Sequence, residues 1–501
     1  MGTSTNVLGT GLRLLVWLML TPFILGALGP VSYGLWVLIG SLAAYGYLLD
    51  LGLAPALVKY VAEHVARADP AAASRMIATT LWLYMGLGLA ALALAIVIAP
   101  GVPDFFSVPV DQRGTATAVV VLTGLSLAIG LPSTAAPTVL MGLQRYDVLN
   151  AISTASTLLG AAATVIVLSL GGGLVGMVAI NIPVALITQA ASIYAIRKVR
   201  PDIKFGLRGG DRRQVRTIVG FSSSSFAFQI SYRLQGQTDE LVVGRFLPVA
   251  MVSPYAIGRR LNDLLILAAQ QFMNVLLPLA SELHAEGDKG RLQAMYLTAT
   301  RLVMAISLPL GVTLILLAEP FIRAWVGPDL LEAAPVAVIL VVSSMVGLSQ
   351  WPAGVIFQGM ARHRPLAISG LLTGVANLIL SVLLVQRMGL VGVALGTLIP
   401  TTVEVLLFLL PYTTRRLGLS VWQVIRQGVV PASLPLIPSA VVTYILRETA
   451  DPSSLVAVGA IGLAGVATYA AAYVAVGAGP LERDLLRQLR ARVQGMRRPS
   501  S

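Results

Sequence analysis

Along the chain, stretches of roughly 20 predominantly apolar residues alternate with short interruptions rich in charge, Gly or Pro, and that is the helical length needed to cross about 30 Å of hydrocarbon. Fourteen such stretches can be marked off, centred near residues 18, 44, 87, 125, 159, 185, 229, 266, 306, 345, 376, 401, 437 and 466. They predict an all-α membrane protein of about fourteen transmembrane helices. Spans 7 and 8 are the most polar of the set, with Arg and Asp in their interiors. No polar stretch is long enough to fold by itself in water, so a single membrane domain is expected. The apolar run Leu14 to Leu28, with small Ala27, has some features of a signal peptide. Residues 1–12 contain no Lys or Arg, however, so the charged leading region is missing and the run is read as the first span.

Composition agrees with the pattern. Apolar residues make up 56% of 501 positions and charged residues 11%, where a soluble domain carries about a quarter charged. Cysteine is absent, which excludes disulfides, thiolate metal sites and thiol nucleophiles. The net charge of +13 first suggests an anionic partner, but the distribution of Lys and Arg explains it. With the N-terminus inside, 25 of the 35 fall in cytoplasmic segments, five (Arg113, Arg245, Arg323, Arg387 and Arg447) on the opposite side, and five within spans. This is positive-inside asymmetry. An even number of spans puts both termini in the cytoplasm, and because the basic residues are dispersed over seven segments, no nucleic-acid partner is expected.

Four landmarks recur about 217 residues apart. Pro30 before Tyr33 matches Pro248 before Tyr255, and Pro103 before Phe105 matches Pro320 before Phe321. Gly142-x-x-Arg145 matches Gly359-x-x-Arg362, and Gly173-Leu-Val-Gly176 matches Gly389-Leu-Val-Gly392. The shift spans six helices, an even number, so the repeats are parallel and related by an axis along the membrane normal. The expected layout is an N-terminal lobe over 1–200, a basic linker over 201–216, a C-terminal lobe over 217–416, two further helices over 417–478 and a basic tail over 479–501. Two lobes of this kind enclose a central cavity, and their rocking is a physical basis for alternating access.

Charged side chains within spans cost roughly 2.5–3.5 kcal/mol each on insertion scales and normally face a bundle interior or a wet cavity. Here they are Arg13 in span 1, Arg233 with Asp239 and Glu240 in span 7, Arg259, Arg260 and Asp263 in span 8, Arg301 in span 9 and Glu404 in span 12. At 100° per residue, Ser222, Gln229, Arg233 and Glu240 share one arc of span 7, while Arg259, Asp263, Gln270 and Asn274 share one arc of span 8. Counted from Pro30 and Pro248, Arg13, Arg233 and Arg259 lie at comparable depth, so these arginines are expected to converge on an anion in the cavity. Guanidinium offers bidentate donors matched to phosphate oxygens and keeps its charge, with Asp263 orienting Arg259 or Arg260. The competing expectation is a network of Arg–Asp and Arg–Glu pairs that ties helices together. Asp239, Glu240 and Arg245 are expected near the outer boundary, in interfacial roles.

Enzyme signatures are missing. None of the four lysines, followed by Tyr60, Val199, Phe205 and Gly290, sits in a Gly-Lys-Ser/Thr loop. Gly171-x-Gly173-x-x-Gly176 fits a dinucleotide fingerprint but lies between two spans, with no strand before it, and is read as a turn. His64, His284 and His363 are far apart in sequence at cytoplasmic edges. No metal, cofactor or catalytic residue is expected. The loop after Arg197 and the tail from Arg483 to Arg498 suit contact with anionic lipid head groups, or simply enforce topology.

Several strings carry a family resemblance: Leu28-Gly-Pro-Val-Ser-Tyr-Gly-Leu-Trp36, Leu48-Leu-Asp-Leu-Gly-Leu53 running into Ala56-Leu-Val-Lys-Tyr60, Gly142-Leu-Gln-Arg145, and Asp239-Glu-Leu-Val-Val-Gly244 before Phe246-Leu247. In order and spacing the chain resembles the polysaccharide or O-antigen flippases of the multidrug/oligosaccharidyl-lipid/polysaccharide exporter superfamily over nearly its whole length. The resemblance implies twelve core helices in two lobes, often with two more. It also implies a cationic cavity for the diphosphate of a polyprenyl-linked oligosaccharide at the inner membrane, and movement without ATP, with H+ or Na+ as candidate coupling ions. Arg13, Arg233, Arg259, Arg260, Asp263, Arg301, Gln229 and Gln270 are the residues carried forward as substrate-binding. A flippase for a lipid-linked peptidoglycan precursor and a cation-coupled multidrug exporter are the alternatives within the superfamily. A membrane glycan polymerase or ligase fits less well, because the longest outer segments, near 100–114 and 319–333, are short and hold few candidate catalysts.

Overall fold

A computed structural model describes residues 2–211, 214–218, 238–273, 276–286, 288–360 and 364–479. The described residues are helices joined by turns and short loops, with no β-strand among them. Nine of the described helices are long and apolar enough to cross a membrane, or ten if Ala333–Leu348 and Trp351–Gly359, bent by 41° at their junction, form one span. That is fewer than the fourteen expected. Two of the nine, Gly11–Asp50 and Arg364–Leu417, have 40 and 54 residues, and at about 1.5 Å per residue even the shorter would run about twice the hydrocarbon thickness. Each is broken by a residue outside helical geometry, Gly29 (φ 74°, ψ 168°) and Gly389 (φ 57°, ψ −134°). The Val252–Met273 helix carries three charges, Arg259, Arg260 and Asp263, and the predicted centre of span 7, near residue 229, lies outside the described residues.

Helix starts follow local chemistry. Asp69 accepts a hydrogen bond from the Ala72 amide at 2.8 Å and precedes Pro70, opening the Pro70–Ile98 helix. Asp288 accepts one from the Arg291 amide at 2.9 Å and opens Lys289–Val326. Both are side-chain caps on otherwise unpaired first-turn donors. Within the helices, hydroxyls bond back one turn, as Thr80 does to the Met76 carbonyl at 2.9 Å, which satisfies them where no water is available. Large apolar residues at mid-helix point outward, among them Leu89, Leu94, Leu372, Leu383, Leu407 and Leu463. Helices that are apolar all round belong in lipid.

The chain divides into two compact units, Met1–Ala256 and Ile257–Ser501. In the first, the core is built from Leu53, Leu57, Met76, Ile77, Tyr84, Leu131 and Val139. The Pro70–Ile98 and Arg113–Ser133 helices pack closely through small residues. A Cβ on Gly124 would lie 2.3 Å from that of Ala95, and one on Gly88 would lie 2.8 Å from the Ala128 carbonyl oxygen, the close backbone approach that membrane helices use. In the second unit, Leu265, Leu292, Tyr296, Val303, Ile356 and Phe357 form the core. The last two spans, Val421–Ala450 and Leu455–Gly477, join this unit: Ser439 donates to the Gly465 carbonyl at 2.8 Å, and Gly462 faces Thr313 of Lys289–Val326.

Two of the four repeated landmarks do the same work in both units. Gly142 packs against Val58 and Val61 of the Leu53–Ala66 helix, and Gly359 packs against Ala280 and Ser281 of Leu276–Glu286. Gly173 and Gly389 both have positive φ. A Cβ on Gly176 would meet Val167, and one on Gly392 would meet Leu384, themselves 217 residues apart. The duplication read from sequence is a duplication of packing.

Candidate functional site

The Val252–Met273 helix is anchored by Gly258, where a Cβ would lie 2.7 Å from the Ala333 carbonyl oxygen. On a wheel of 100° per residue, the buried residues Asn262, Leu265 and Ala269 cluster around the Gly258 direction. Arg259 and Asp263 stand about 100–140° from Gly258, both half-buried, with exposed Gln270 in the same sector. Arg260 is also half-buried but points about 200° away from Gly258, off the stripe. The arc predicted from sequence thus flanks a packed face. An Arg and an Asp spaced i, i+4 on it can orient a guanidinium fork.

Arg13 is exposed on the Gly2–Gly46 helix of the first unit. Ser222, Gln229, Arg233 and Asn274 lie outside the described residues, as do His363 and the tail from Arg483 to Arg498. Arg301 lines a cavity of about 320 Å³ within the second unit, together with Gln293, Leu297 and Thr298 of its own helix and with Gln423 and Gln427 of the Val421–Ala450 span. The Val421–Ala450 side of this cavity was not legible in the sequence, where Gln423 and Gln427 look like ordinary polar residues at a span's entrance.

The acidic residues of span 7, expected in interfacial roles, are buried in the protein. Asp239 and Glu240 are 6% and 4% exposed, and Tyr255 donates to the Asp239 carboxyl at 2.7 Å, while the neighbouring Thr238 and Tyr45 hydroxyls are 2.7 Å apart. Arg245 differs from them. It is exposed, with its guanidinium 5.1 Å from the Phe105 ring centre and 5.7 Å from that of Phe246, a cation–π arrangement. Glu404 accepts a hydrogen bond from Ser369 at 2.7 Å, so it ties two parts of the Arg364–Leu417 segment together.

Two polar clusters lay outside the sequence-based set. Tyr84 donates to Asp50, which also accepts from the Ala54 amide at 3.3 Å, just where Leu51 and Gly52 turn left-handed and interrupt the helix. Asp50 stood in the sequence only as part of a family string. Asn377 donates to Thr397 at 2.8 Å and Ser381 to the Val393 carbonyl at 3.3 Å, clasping the two arms on either side of Gly389.

A sequence model of the family described as polysaccharide biosynthesis protein matches residues 27–335. This chain belongs to that family. A curated relative of this polysaccharide biosynthesis protein, the membrane protein EpsK of Bacillus subtilis, is 27% identical over 237 residues, 47% of each chain, so the match spans about half the length of that relative. Among solved structures, the lipid II flippase MurJ in an inward closed conformation aligns with a TM-score of 0.71 at 15% identity, over 96% of this chain and all of its own. A multidrug resistance MATE family transporter of the MOP superfamily, inward-facing, aligns with a TM-score of 0.70 at 17% identity, over 81% of this chain and 94% of its own. The polysaccharide biosynthesis chain therefore shares the fold of these two transporters and is a multi-pass membrane protein.

Proposed function

We propose that this protein is a flippase that translocates a polyprenyl-diphosphate-linked oligosaccharide, a precursor of cell-surface polysaccharide, across the inner membrane by alternating access, with both termini cytoplasmic. The observation that carries the reading is the half-buried Arg259–Asp263 stripe on the Val252–Met273 helix in a chain of the polysaccharide biosynthesis family. A guanidinium kept at such a position at a cost of a few kcal/mol suits the diphosphate of a lipid carrier better than a cationic drug. Arg259, oriented by Asp263, is the proposed phosphate-holding residue of the second unit, with Arg260 and Gln270 close to it in sequence. Arg13, Gln229 and Arg233 are proposed as further contacts to the substrate head group. H+ or Na+ is the proposed coupling ion.

The test is translocation of a labelled polyprenyl-diphosphate sugar in proteoliposomes containing this protein alone, alongside Arg233→Ala and Arg259→Ala variants. Flipping by the parent and loss of flipping in folded variants supports the reading. Loss of folded protein in the variants favours a structural Arg–Asp network. Absence of flipping by the folded parent, under any imposed ion gradient, moves the substrate to a lipid-linked peptidoglycan precursor or a drug, the substrate classes of the two transporters that share the fold.

A further inference from the structure

The cavity around Arg301 has a fixed place along its two helices. At one end, Gln293, Thr298 and Arg301 of Lys289–Val326 meet Gln423 and Gln427 of the Val421–Ala450 span. At the other end, the Arg447 guanidinium donates to the Leu316 carbonyl at 2.8 Å. The two helices therefore run side by side in the same direction. Between these meeting points, residues 302–318 and 428–446 contain no charged side chain, lengths of about 26 and 28 Å at 1.5 Å per residue, close to the hydrocarbon thickness. The cavity thus opens at the head-group level of one membrane face.

Lys289, Arg291, Arg415, Arg416 and Arg426 all lie at that same end and are exposed, marking it as the cytoplasmic face. The cavity is polar where lipid would otherwise lie. Gln423 and Gln427 are exposed, and Gln427 sits in a π-helical turn, Ile425–Val429, a distortion that recurs at functional sites. Local bonds set two of the amides: Gln293 donates to the Leu417 carbonyl at 2.6 Å, and the Gln423 side-chain oxygen accepts from the Ser420 amide at 2.7 Å. At head-group level, an anionic head group with a phosphate and hydroxyls offers such groups several partners at once. Basic pockets between helices on the cytoplasmic side are suited to that chemistry.

We propose that the cavity lined by Arg301, Gln293, Thr298, Gln423 and Gln427 is a regulatory or structural site for the phosphate of an anionic membrane lipid in the cytoplasmic leaflet. Arg301 carries the phosphate, and the amides and the Thr298 hydroxyl carry the rest of the head group. The site lies wholly within the second unit, and it stands whichever substrate the protein transports.

Native mass spectrometry of the full chain in detergent, with phosphatidylglycerol or phosphatidylethanolamine added, tests the proposal, with thermal unfolding in inorganic phosphate as a parallel arm. Preferential retention of phosphatidylglycerol is expected for the parent and for Arg387→Gln, which removes an exposed charge elsewhere. Retention roughly tenfold weaker is expected for Arg301→Gln, the loss of one charge-assisted contact, with weaker retention also for Gln427→Leu. Undiminished retention in Arg301→Gln, or equal retention of phosphatidylethanolamine by the parent, overturns the proposal. Stabilisation by inorganic phosphate without lipid preference overturns the lipid as its source and leaves a free-ion site. If Arg301→Gln does not yield monodisperse protein, Gln427→Leu decides, and undiminished retention there overturns the proposal.

Discussion

Gly173 and Gly389, 216 residues apart, share the same left-handed backbone angle, φ +55° and +57°. At Gly389 ψ is −134°, a combination that residues with a Cβ essentially avoid. Each glycine sits at the sharp turn leading into the close packing of Gly176 on Val167 or of Gly392 on Leu384. Gly389→Ala is expected to cost about 1–3 kcal/mol, seen as a lower thermal unfolding temperature in detergent. An unchanged melting curve would show that the backbone relaxes at this turn.

Packing of the first unit depends on the seam between Pro70–Ile98 and Arg113–Ser133. Gly124→Ala puts a methyl 2.3 Å from the Ala95 Cβ, and the helices must separate to admit it. A loss of about 1–3 kcal/mol is expected. Combining it with Ala95→Gly should restore part of that loss, which thermal unfolding of the double variant measures.

Tyr255 holds the buried Asp239 carboxyl through a bond of 2.7 Å. Tyr255→Phe removes that donor without creating a cavity, so a stability loss of about 1–3 kcal/mol is expected with the fold retained. Equal stability of the parent and the variant would mean that the remaining contacts of Asp239 suffice.

Arg259 and Arg260 are adjacent in sequence but point about 100° apart. Arg259→Lys keeps the charge and loses the planar fork, so flipping should fall by roughly tenfold, while Arg260→Lys should have a smaller effect. Initial rates in proteoliposomes separate the two. Equal losses would place both side chains on the substrate.

In the loop after the sixth predicted span, hydrogen bonds from Arg200 hold the Asp202 carboxyl below the usual carboxylate range. A carboxyl depressed in the folded state contributes stability above its ordinary pKa, and that contribution is lost as pH falls through the depressed value. The pair should persist when ordinary carboxylates begin to protonate near pH 4, and Arg200→Gln should move the Asp202 titration upward. Carboxyl-carbon NMR of selectively labelled protein measures it.

Hydropathy and landmark spacing by themselves determined that this is a helical membrane protein with an internal duplication, because a span must supply some 20 apolar residues whatever it packs against. Glycine and proline positions likewise repeat where backbones turn or approach closely, as at Gly142 with Gly359 and Gly173 with Gly389. The Arg259–Asp263 stripe was legible for the same reason, since helical period alone puts residues four apart on one face. What tertiary structure decided is where polar groups from distant segments meet. Asp239 and Glu240 looked interfacial by distance from Pro248, yet packing buries both, with Tyr255 donating to Asp239. Asp50 was only a letter in a motif until Tyr84, on the Pro70–Ile98 helix, donated to it. Arg301 was grouped with the arginines of spans 7 and 8 by composition, and the structure gives it glutamines from a helix more than 120 residues away. Periodicity fixes which face of a helix a side chain occupies, but the neighbour across that face is set by the packing of whole helices, which no local pattern encodes.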